Sequence, residues 1–143
     1  MLLKEMMRGR ETVYQLPMQA RIFDAASLMR EEQIGFLVVT NDSRRVEGVI
    51  TDRDIALSLS LGAATPHSLL SEIMTKPVQT VDESQTLFDL SRQFRISKVK
   101  RLPVVDSHGD LKGVISLDDV MALLSREMFD TCKGLESKIG HLV

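Results

Sequence analysis

The sequence predicts a mixed α/β fold in which one unit of secondary structure, β-α-β-β-α, occurs twice in succession. Three observations lead to this prediction: a seven-residue segment that recurs, a constant offset that aligns many further residues, and the same order of apolar runs and polar turns in both halves. We therefore expect two halves of similar structure, related by an approximate two-fold axis, that pack together as one unit.

The recurring segment is GVITDRD, from Gly48 to Asp54, which returns as GVISLDD, from Gly113 to Asp119. The two copies lie 65 positions apart, and the same offset aligns further identical pairs without a gap, including Val13 and Val78, Phe23 and Phe88, Leu37 and Leu102, and Val39 and Val104. Upstream, LLKEMM from Leu2 resembles LLSEIM from Leu69 at an offset of 67. The sequence thus predicts a first repeat over residues 1–64, a second over 65–128, and a C-terminal extension over 129–143.

Each copy begins with a short helix that ends in methionine, Leu2 to Met7 and Leu69 to Met74, followed by a brief extended piece, TVYQL or PVQTV. Residues at helical spacing then predict a longer helix in each copy. They are Ile22, Ala26 and Met29 in the first copy and Leu87, Ser91 and Phe94 in the second. The D-x-x-Q pattern from Asp82 is typical of a helix start and predicts where the second of these helices begins.

Two apolar stretches follow the long helix, FLVVT and EGVIT in the first copy and RLPVVD and KGVIS in the second, with a polar turn between them. A last helix is predicted to begin at the hydroxyl residue, Thr51 or Ser116. Beyond Met128, the spacing of Leu135, Ile139 and Leu142 predicts an amphipathic helix after Gly134. This helix either docks onto the chain's own core or takes part in a dimer.

Composition and charge narrow the class of protein. The chain has 143 residues, of which 43% are hydrophobic and 27% charged, as in an ordinary globular domain. A formal charge of −2 gives no bulk reason to bind nucleic acid or an anionic membrane. The sequence has no apolar run of about 18 residues and no signal-peptide core. The single cysteine, Cys132, rules out an internal disulfide, so we expect a cytoplasmic protein.

An enzyme is not expected. His67, His108 and His141 stand far apart, with no cysteine or carboxylate at ligand spacing, so neither a metal site nor a catalytic group is predicted. The phosphate-binding loop and the dinucleotide fingerprint do not occur either.

The repeated junction has two interpretations. Thr51 with Asp54, and Ser116 with Asp119, fit the pattern of a helix capping box, which is worth roughly 1 kcal/mol of helix stability. Alternatively, the helix start and the hydroxyl bind phosphate, and the carboxylate accepts hydrogen bonds from a ribose diol. Two details favour the second interpretation. A glycine precedes each hydroxyl residue by three positions, and the last residue of each box is Asp where a capping box prefers Glu or Gln.

The β-α-β-β-α repeat, IMTKPVQTV, RLPVVD and GVI[S/T]xxD together resemble the two motifs of a CBS-domain pair, also called a Bateman module, over about Leu2 to Met128. The resemblance implies a regulatory module that binds an adenosyl ligand such as AMP, ADP, ATP or S-adenosylmethionine. It assigns phosphate and ribose to Thr51 and Asp54 in one site and to Ser116 and Asp119 in the other.

The resemblance also implies that the base lies against Val13 or Val78 and against the residue before the LPV stretch, Phe36 or Arg101. Phe36 is open to a second interpretation, as a strand residue of the shared core. Lys100 and Arg101 occupy the place of a basic pair that grips phosphates in relatives such as the γ subunit of AMP-activated kinase, whereas the first copy has Gly35 and Phe36 there.

The two junctions differ in charge, because Arg53 adds a cation beside Thr51 and Asp118 adds an anion beside Ser116. Unless Arg53 merely pairs with neighbouring carboxylates, the first junction is therefore expected to bind phosphate better.

Members of this family commonly dimerise, so we expect a homodimer through the helices that follow the junctions, with a further protein target that the sequence does not identify. The alternative is an adaptor without a ligand, which would use apolar surface at Leu57 and Leu61 to bind its partner.

Overall fold

The computed structural model describes residues 2–7, 13–97 and 99–140. The first half contains α1 (Leu3–Met6), β1 (Gln15–Pro17), α2 (Ile22–Glu32), β2 (Phe36–Thr40), β3 (Val46–Thr51) and α3 (Asp52–Ser60). The second half contains α4 (Leu70–Ile73), β4 (Val81–Asp82), α5 (Leu87–Ile96), β5 (Arg101–Val105), β6 (Leu111–Ser116) and α6 (Leu117–Ile139). The predicted fold class is confirmed, since the same order of elements occurs in both halves.

Each half has a three-stranded sheet of identical topology. The first strand pairs in parallel with the second, and the second pairs antiparallel with the third, in the orders β1-β2-β3 and β4-β5-β6. The registers also correspond: Phe36 pairs with Thr51 in the first sheet, and Arg101 pairs with Ser116 in the second. The start of each central strand therefore lies beside the hydroxyl of its own junction.

The two halves exchange their first helices. Leu3 and Met7, from the start of the chain, belong to the hydrophobic core of the second half, whereas Leu70 and Met74 belong to that of the first half. The backbone bonds repeat this exchange, because Leu3 N–H donates to Gln85 O and Leu70 N–H donates to Ala20 O, each over 2.8 Å. Neither half completes its core without a segment from the other.

This exchange explains the glycine of the repeated junction. A Cβ atom on Gly48 would lie 2.6 Å from Met74 Sδ and 2.8 Å from Met74 Cγ, and one on Gly113 would overlap Met7 Cε. The bare backbone thus makes room for the methionine of an exchanged helix. Packing against the methionine accounts for this glycine, so the glycine does not favour the ligand interpretation of the junction.

The buried faces of the long helices differ by one position from the prediction. The side chains that α2 buries are Ile22, Ala25 and Met29, and those of α5 are Leu87, Leu90 and Phe94, so Ala26 and Ser91 do not belong to these faces. Because one turn takes 3.6 residues, positions i+3 and i+4 both suit a buried stripe, and only the packing partners decide between them.

The start of α5 also differs from the prediction. The D-x-x-Q segment forms a turn before the helix, in which Asp82 N–H donates to Gln85 Oε1 over 3.0 Å. The residue that caps α5 is Thr86, whose Oγ1 accepts from Asp89 N–H over 3.3 Å. The helix therefore begins at a Thr-x-x-Asp box that starts four residues after Asp82.

The C-terminal segment does not form a separate helix after Gly134, because α6 continues without a break from Leu117 to Ile139. Met128, Phe129, Leu135 and Ile139 are exposed on it, so the extension does not dock onto the chain's own core. Leu142 and His141, which the sequence analysis considered, lie outside the described residues.

Replacement of Gly48 by alanine tests the glycine–methionine contact. Because the new methyl group would meet the stem of Met74, we expect Gly48→Ala to lower the free energy of unfolding by about 1–3 kcal/mol. Gly134→Ala is the matched control, since nothing lies within 4 Å of its Cβ position and helix propensity should raise stability by about 1 kcal/mol. Chemical denaturation measures both, and equal effects of the two substitutions would contradict the packing explanation.

Candidate functional site

Both junctions form the capping boxes that one interpretation of the sequence predicted. In the first, Thr51 N–H donates to Asp54 Oδ2 over 2.9 Å, and Asp54 N–H donates to Thr51 Oγ1 over 3.1 Å. In the second, the corresponding distances for Ser116 and Asp119 are 3.0 and 3.1 Å. The cap engages a single oxygen of Asp54, and a carboxylate offers about four lone-pair sites, so capping and the binding of a ribose diol are compatible.

A cavity of about 290 Å³, called here the first cavity, opens beside the first junction. Its lining residues are Val13, Tyr14, Gln33, Ile34, Gly35 and Phe36 from the first half and Arg101 and Val114 from the second. Thr51 lies next to it, as the strand partner of Phe36, and Asp52 N–H donates to Gly35 O over 3.1 Å. The helix start of α3 is thus hydrogen-bonded to the wall of the first cavity.

A second cavity, of about 390 Å³, occupies the equivalent place in the other half. It is lined by Val49, Thr75, Pro77, Val78, Gln79, Ile96, Ser97, Val99, Arg101 and Leu102. Val49 and Thr75 exchange backbone hydrogen bonds of 3.2 and 2.9 Å, which join the two halves at this wall. The second cavity is mainly apolar, with a few polar groups among its walls, as expected of a small-molecule site.

The offset of 65 positions relates the two cavities to each other. Five lining residues of the first cavity have their repeat counterparts in the lining of the second: Val13 with Val78, Tyr14 with Gln79, Ile34 with Val99, Phe36 with Arg101, and Val114 with Val49. Val114, which lines the first cavity, comes from the second half, and Val49, which lines the second cavity, comes from the first half. The internal repeat has therefore produced two related cavities between the halves.

Arg101 lines both cavities, and among the described residues that line either one it is the only charged residue. Its guanidinium carbon lies 5.9 Å from the centre of the Phe36 ring. Since Phe36 and Arg101 are repeat counterparts, this cation–π contact crosses the pseudo-two-fold axis. At an exposed site such a contact is worth about 0.5–1 kcal/mol, which a phosphate can readily outcompete.

Ser97 and Tyr14 are among the polar residues in the cavity walls that the sequence did not indicate as site residues. Ser97 Oγ, in the second cavity, is buried and has no hydrogen-bond partner among the described residues. Tyr14, in the first cavity, donates its hydroxyl to Glu32 Oε2 over 2.8 Å, and this hydrogen bond is the main reason why the pKa of Tyr14 is raised. The repeat offset could have identified Val49 and Val114, whereas no sequence signal distinguishes Ser97.

The predicted site residues fall into two groups. Val13, Phe36, Val78 and Arg101 line the cavities, and Val13 and Val78 precede their strands instead of belonging to them. The contact of these four residues with a base, which the family resemblance implied, stays a prediction. The remaining predicted residues lie at the junctions and are not among the lining residues: Thr51, Arg53, Asp54, Lys100, Ser116 and Asp119. Their roles toward a ligand therefore stay predictions.

In the part of the chain that the structure describes, no helix is both long and apolar enough to cross a membrane. Over the same residues, His, Cys, Asp and Glu side chains do not form a group of three or more that could hold a metal ion.

The CBS-domain family model matches this sequence twice, at residues 4–61 and 70–126, which together cover more than half of the chain. The chain belongs to the CBS-domain family. The two matches correspond to the two halves of the fold, so the molecule is a tandem CBS pair.

Curated relatives agree with this assignment. An uncharacterised protein of Methanopyrus kandleri is 30% identical over 99 residues, which are 68% of this CBS pair and 50% of that protein. The CBS domain-containing protein YhcV of Bacillus subtilis is 31% identical over 99 residues, or 69% of each chain. The CBS pair thus spans about half the length of the Methanopyrus protein.

Solved structures have the same fold. A signal-transduction protein with CBS domains from Burkholderia ambifaria is 28% identical, with a TM-score of 0.75 over 87% of this chain and 93% of its own. CBSX2, solved in complex with AMP, is 24% identical, with a TM-score of 0.73 over 89% and 98% of the two chains. The CBS pair of MJ0100, solved with 5'-methylthioadenosine and S-adenosyl-L-methionine, is 22% identical, with a TM-score of 0.76 over the same shares.

Substitution of the junction hydroxyl measures the capping contribution by itself. Thr51→Ala removes the acceptor of the Asp54 N–H, so we expect the free energy of unfolding to fall by about 1 kcal/mol. Thr51→Ser keeps the hydroxyl and is expected to retain most of that stability. Urea denaturation of both variants is the measurement, and an alanine variant as stable as the parent would show that the box contributes nothing.

Proposed function

We propose that this CBS pair is a regulatory module that binds an adenine nucleotide of the AMP, ADP or ATP type and signals its level to a partner protein. The two repeat-related cavities, each adjoining a junction with a hydroxyl, a helix start and a carboxylate, are the observation that carries this proposal. A regulatory role is supported over catalysis because CBS domains generally serve as sensors.

Each part of a nucleotide has a complementary group at these sites. The apolar walls around Val13 and Val78 suit the base, the start of α3 or α6 suits phosphate, and the carboxylate of Asp54 or Asp119 suits the ribose diol. Volumes of about 290 and 390 Å³ lie at the lower end of the range of roughly 300–1,000 Å³ that small-molecule pockets occupy.

The size of the ligand indicates the affinity to expect. AMP has about 23 non-hydrogen atoms, and at ~0.3 kcal/mol each the binding free energy is near −7 kcal/mol, or a Kd of roughly 10 μM. Such a Kd suits a sensor that responds to changes in nucleotide level. Two structural neighbours, with AMP and with S-adenosyl-L-methionine, support an adenosyl ligand in this fold, and the second makes S-adenosylmethionine the alternative ligand.

Ligand-induced stabilisation tests the proposal. AMP, ADP, ATP and S-adenosylmethionine are each added while thermal unfolding is followed, and a ligand at 100 times its Kd is expected to stabilise the protein by ~2.7 kcal/mol. The compound with the largest shift at equal concentration is the preferred ligand. If none of the four shifts the unfolding temperature, the protein is instead an adaptor without an adenosyl ligand.

Removal of both junction carboxylates tests where the ligand binds. We expect Asp54→Ala combined with Asp119→Ala to raise the Kd at least tenfold, because the ribose loses its acceptors. Asp89→Ala is the matched control: Asp89 also closes a Thr-x-x-Asp box, at the start of α5, but is not among the lining residues of either cavity. Isothermal titration calorimetry measures the Kd, and an unchanged Kd in the double variant would place the ligand elsewhere.

We also propose that the protein is a homodimer through α3 and α6. The support is apolar surface at these helices: Leu61, which follows the last residue of α3, is 79% exposed, and Met128 on α6 is 68% exposed. Dimerisation would give a downstream partner a surface that changes with nucleotide binding. The exposed Cys132 supports a reducing, cytoplasmic location.

Light scattering after gel filtration tests the dimer. The expected mass is twice the 16.0 kDa of one chain, and Met128→Asp is expected to lower it toward the monomer value. Asp130→Lys, two positions further along α6 and hence on another face, is the control that should leave the dimer intact. A monomeric parent protein would refute the proposed assembly.

A further inference from the structure

The positive charge in the cavity walls is not duplicated by the internal repeat. Arg101 lines both cavities and is the only charged residue among the described residues that do so, whereas its repeat counterpart, Phe36, is uncharged. A symmetric pair of cavities would have two such cations, one for each. Among the described lining residues, one cation therefore serves two sites.

We propose that the two sites compete for Arg101, so that occupancy of one cavity by an anionic nucleotide weakens the binding of a second nucleotide in the other. The inference rests on the proposed function, because it requires phosphate-bearing ligands in both cavities. It adds a regulatory property: negative coupling between the sites through one shared side chain.

The unliganded geometry favours this competition. The Arg101 side chain is exposed, and its guanidinium carbon stands 5.9 Å from the Phe36 ring, at the boundary between the cavities. The contact with Phe36 is weaker than a charge-assisted hydrogen bond to phosphate, so the first ligand draws the guanidinium toward itself. The described walls of the other cavity are then uncharged.

Other described cations near the sites do not replace Arg101. Lys76, Lys100 and Arg53 are exposed residues that are not among the lining residues of either cavity. Glu32, which accepts the Tyr14 hydroxyl, brings a negative charge toward the first cavity and makes a second phosphate there still less favourable. Coupling between sites in proteins is typically about 5- to 150-fold, and we expect a value near the lower end here.

Blocking one cavity at a time distinguishes two possibilities. Either the occupancy of one site changes the affinity of the other, or the two sites have unequal affinities that are independent of each other. Val78→Trp is designed to fill the second cavity and Val13→Trp the first, and AMP binding is measured by isothermal titration calorimetry. In the parent protein we expect two steps whose Kd values differ by about tenfold or more. In the variant that loses the tighter site, the remaining site should bind AMP about tenfold more tightly than the parent's weaker step, because Arg101 no longer serves the other site.

Substitutions at Phe36 and Arg101, which meet across the pseudo-two-fold axis, provide a matched pair of variants. Phe36→Arg gives each cavity its own cation and should bring the two Kd values together by tightening the weaker step, whereas Arg101→Gln should weaken binding and abolish the response to blocking. These two variants alter exposed or half-buried positions, so they keep the test decisive if a tryptophan variant does not fold. Adenosine, which has no phosphate, serves as the uncharged probe and should show no coupling.

The outcomes distinguish failure of the coupling from failure of the proposed function. If the parent binds AMP but blocking one cavity leaves the Kd of the other unchanged, the coupling is refuted and the proposed function stands. The same holds if adenosine shows coupling equal to that of AMP, since charge would then not be its cause. If the parent binds none of the adenosyl compounds, the proposed function itself fails, and the coupling fails with it.

Discussion

A close contact between a methionine and a bare glycine, made once in each half, holds the two repeats together. Met74 packs on Gly48, and Met7 packs on Gly113, each from a short helix that belongs to the opposite repeat. Because each exchanged helix also contributes a buried leucine, Leu3 or Leu70, both cores are built from two distant parts of the chain. The halves therefore cannot separate without exposing apolar surface, which keeps the cavities between them in place.

The pseudo-two-fold axis brings repeat counterparts face to face. Arg45 and Asp110 pair through a backbone bridge and an ion pair of 4.0 Å, and Phe36 and Arg101 form the cation–π contact. In neither pair are the two counterparts chemically alike. A symmetric backbone with unlike residues on its axis produces two cavities of similar shape but different electrostatics, which is the basis for unequal binding sites.

The junctions show that a structural and a functional role can use the same side chain. The Asp54 carboxylate caps α3 with one oxygen, and its second oxygen leaves capacity for a ligand. A capping box holds the carboxylate in one orientation before any ligand arrives, which reduces the entropy that binding must overcome. A capping role and a ligand-binding role are thus compatible at these positions.

The repeat, the order of elements, the family and the junction caps could be predicted from the amino-acid sequence, because these features depend on local patterns and on a constant offset of 65 positions. Through the family resemblance the sequence also named Val13, Phe36, Val78 and Arg101 as base contacts, and all four line the cavities. Three features became visible only in the three-dimensional structure: the exchange of the short helices, the packing of Met74 and Met7 on the junction glycines, and the burial of Ala25 in place of Ala26. The same holds for the position of Arg101 between two cavities. These facts depend on which distant segments meet across the axis, and no local pattern encodes that meeting.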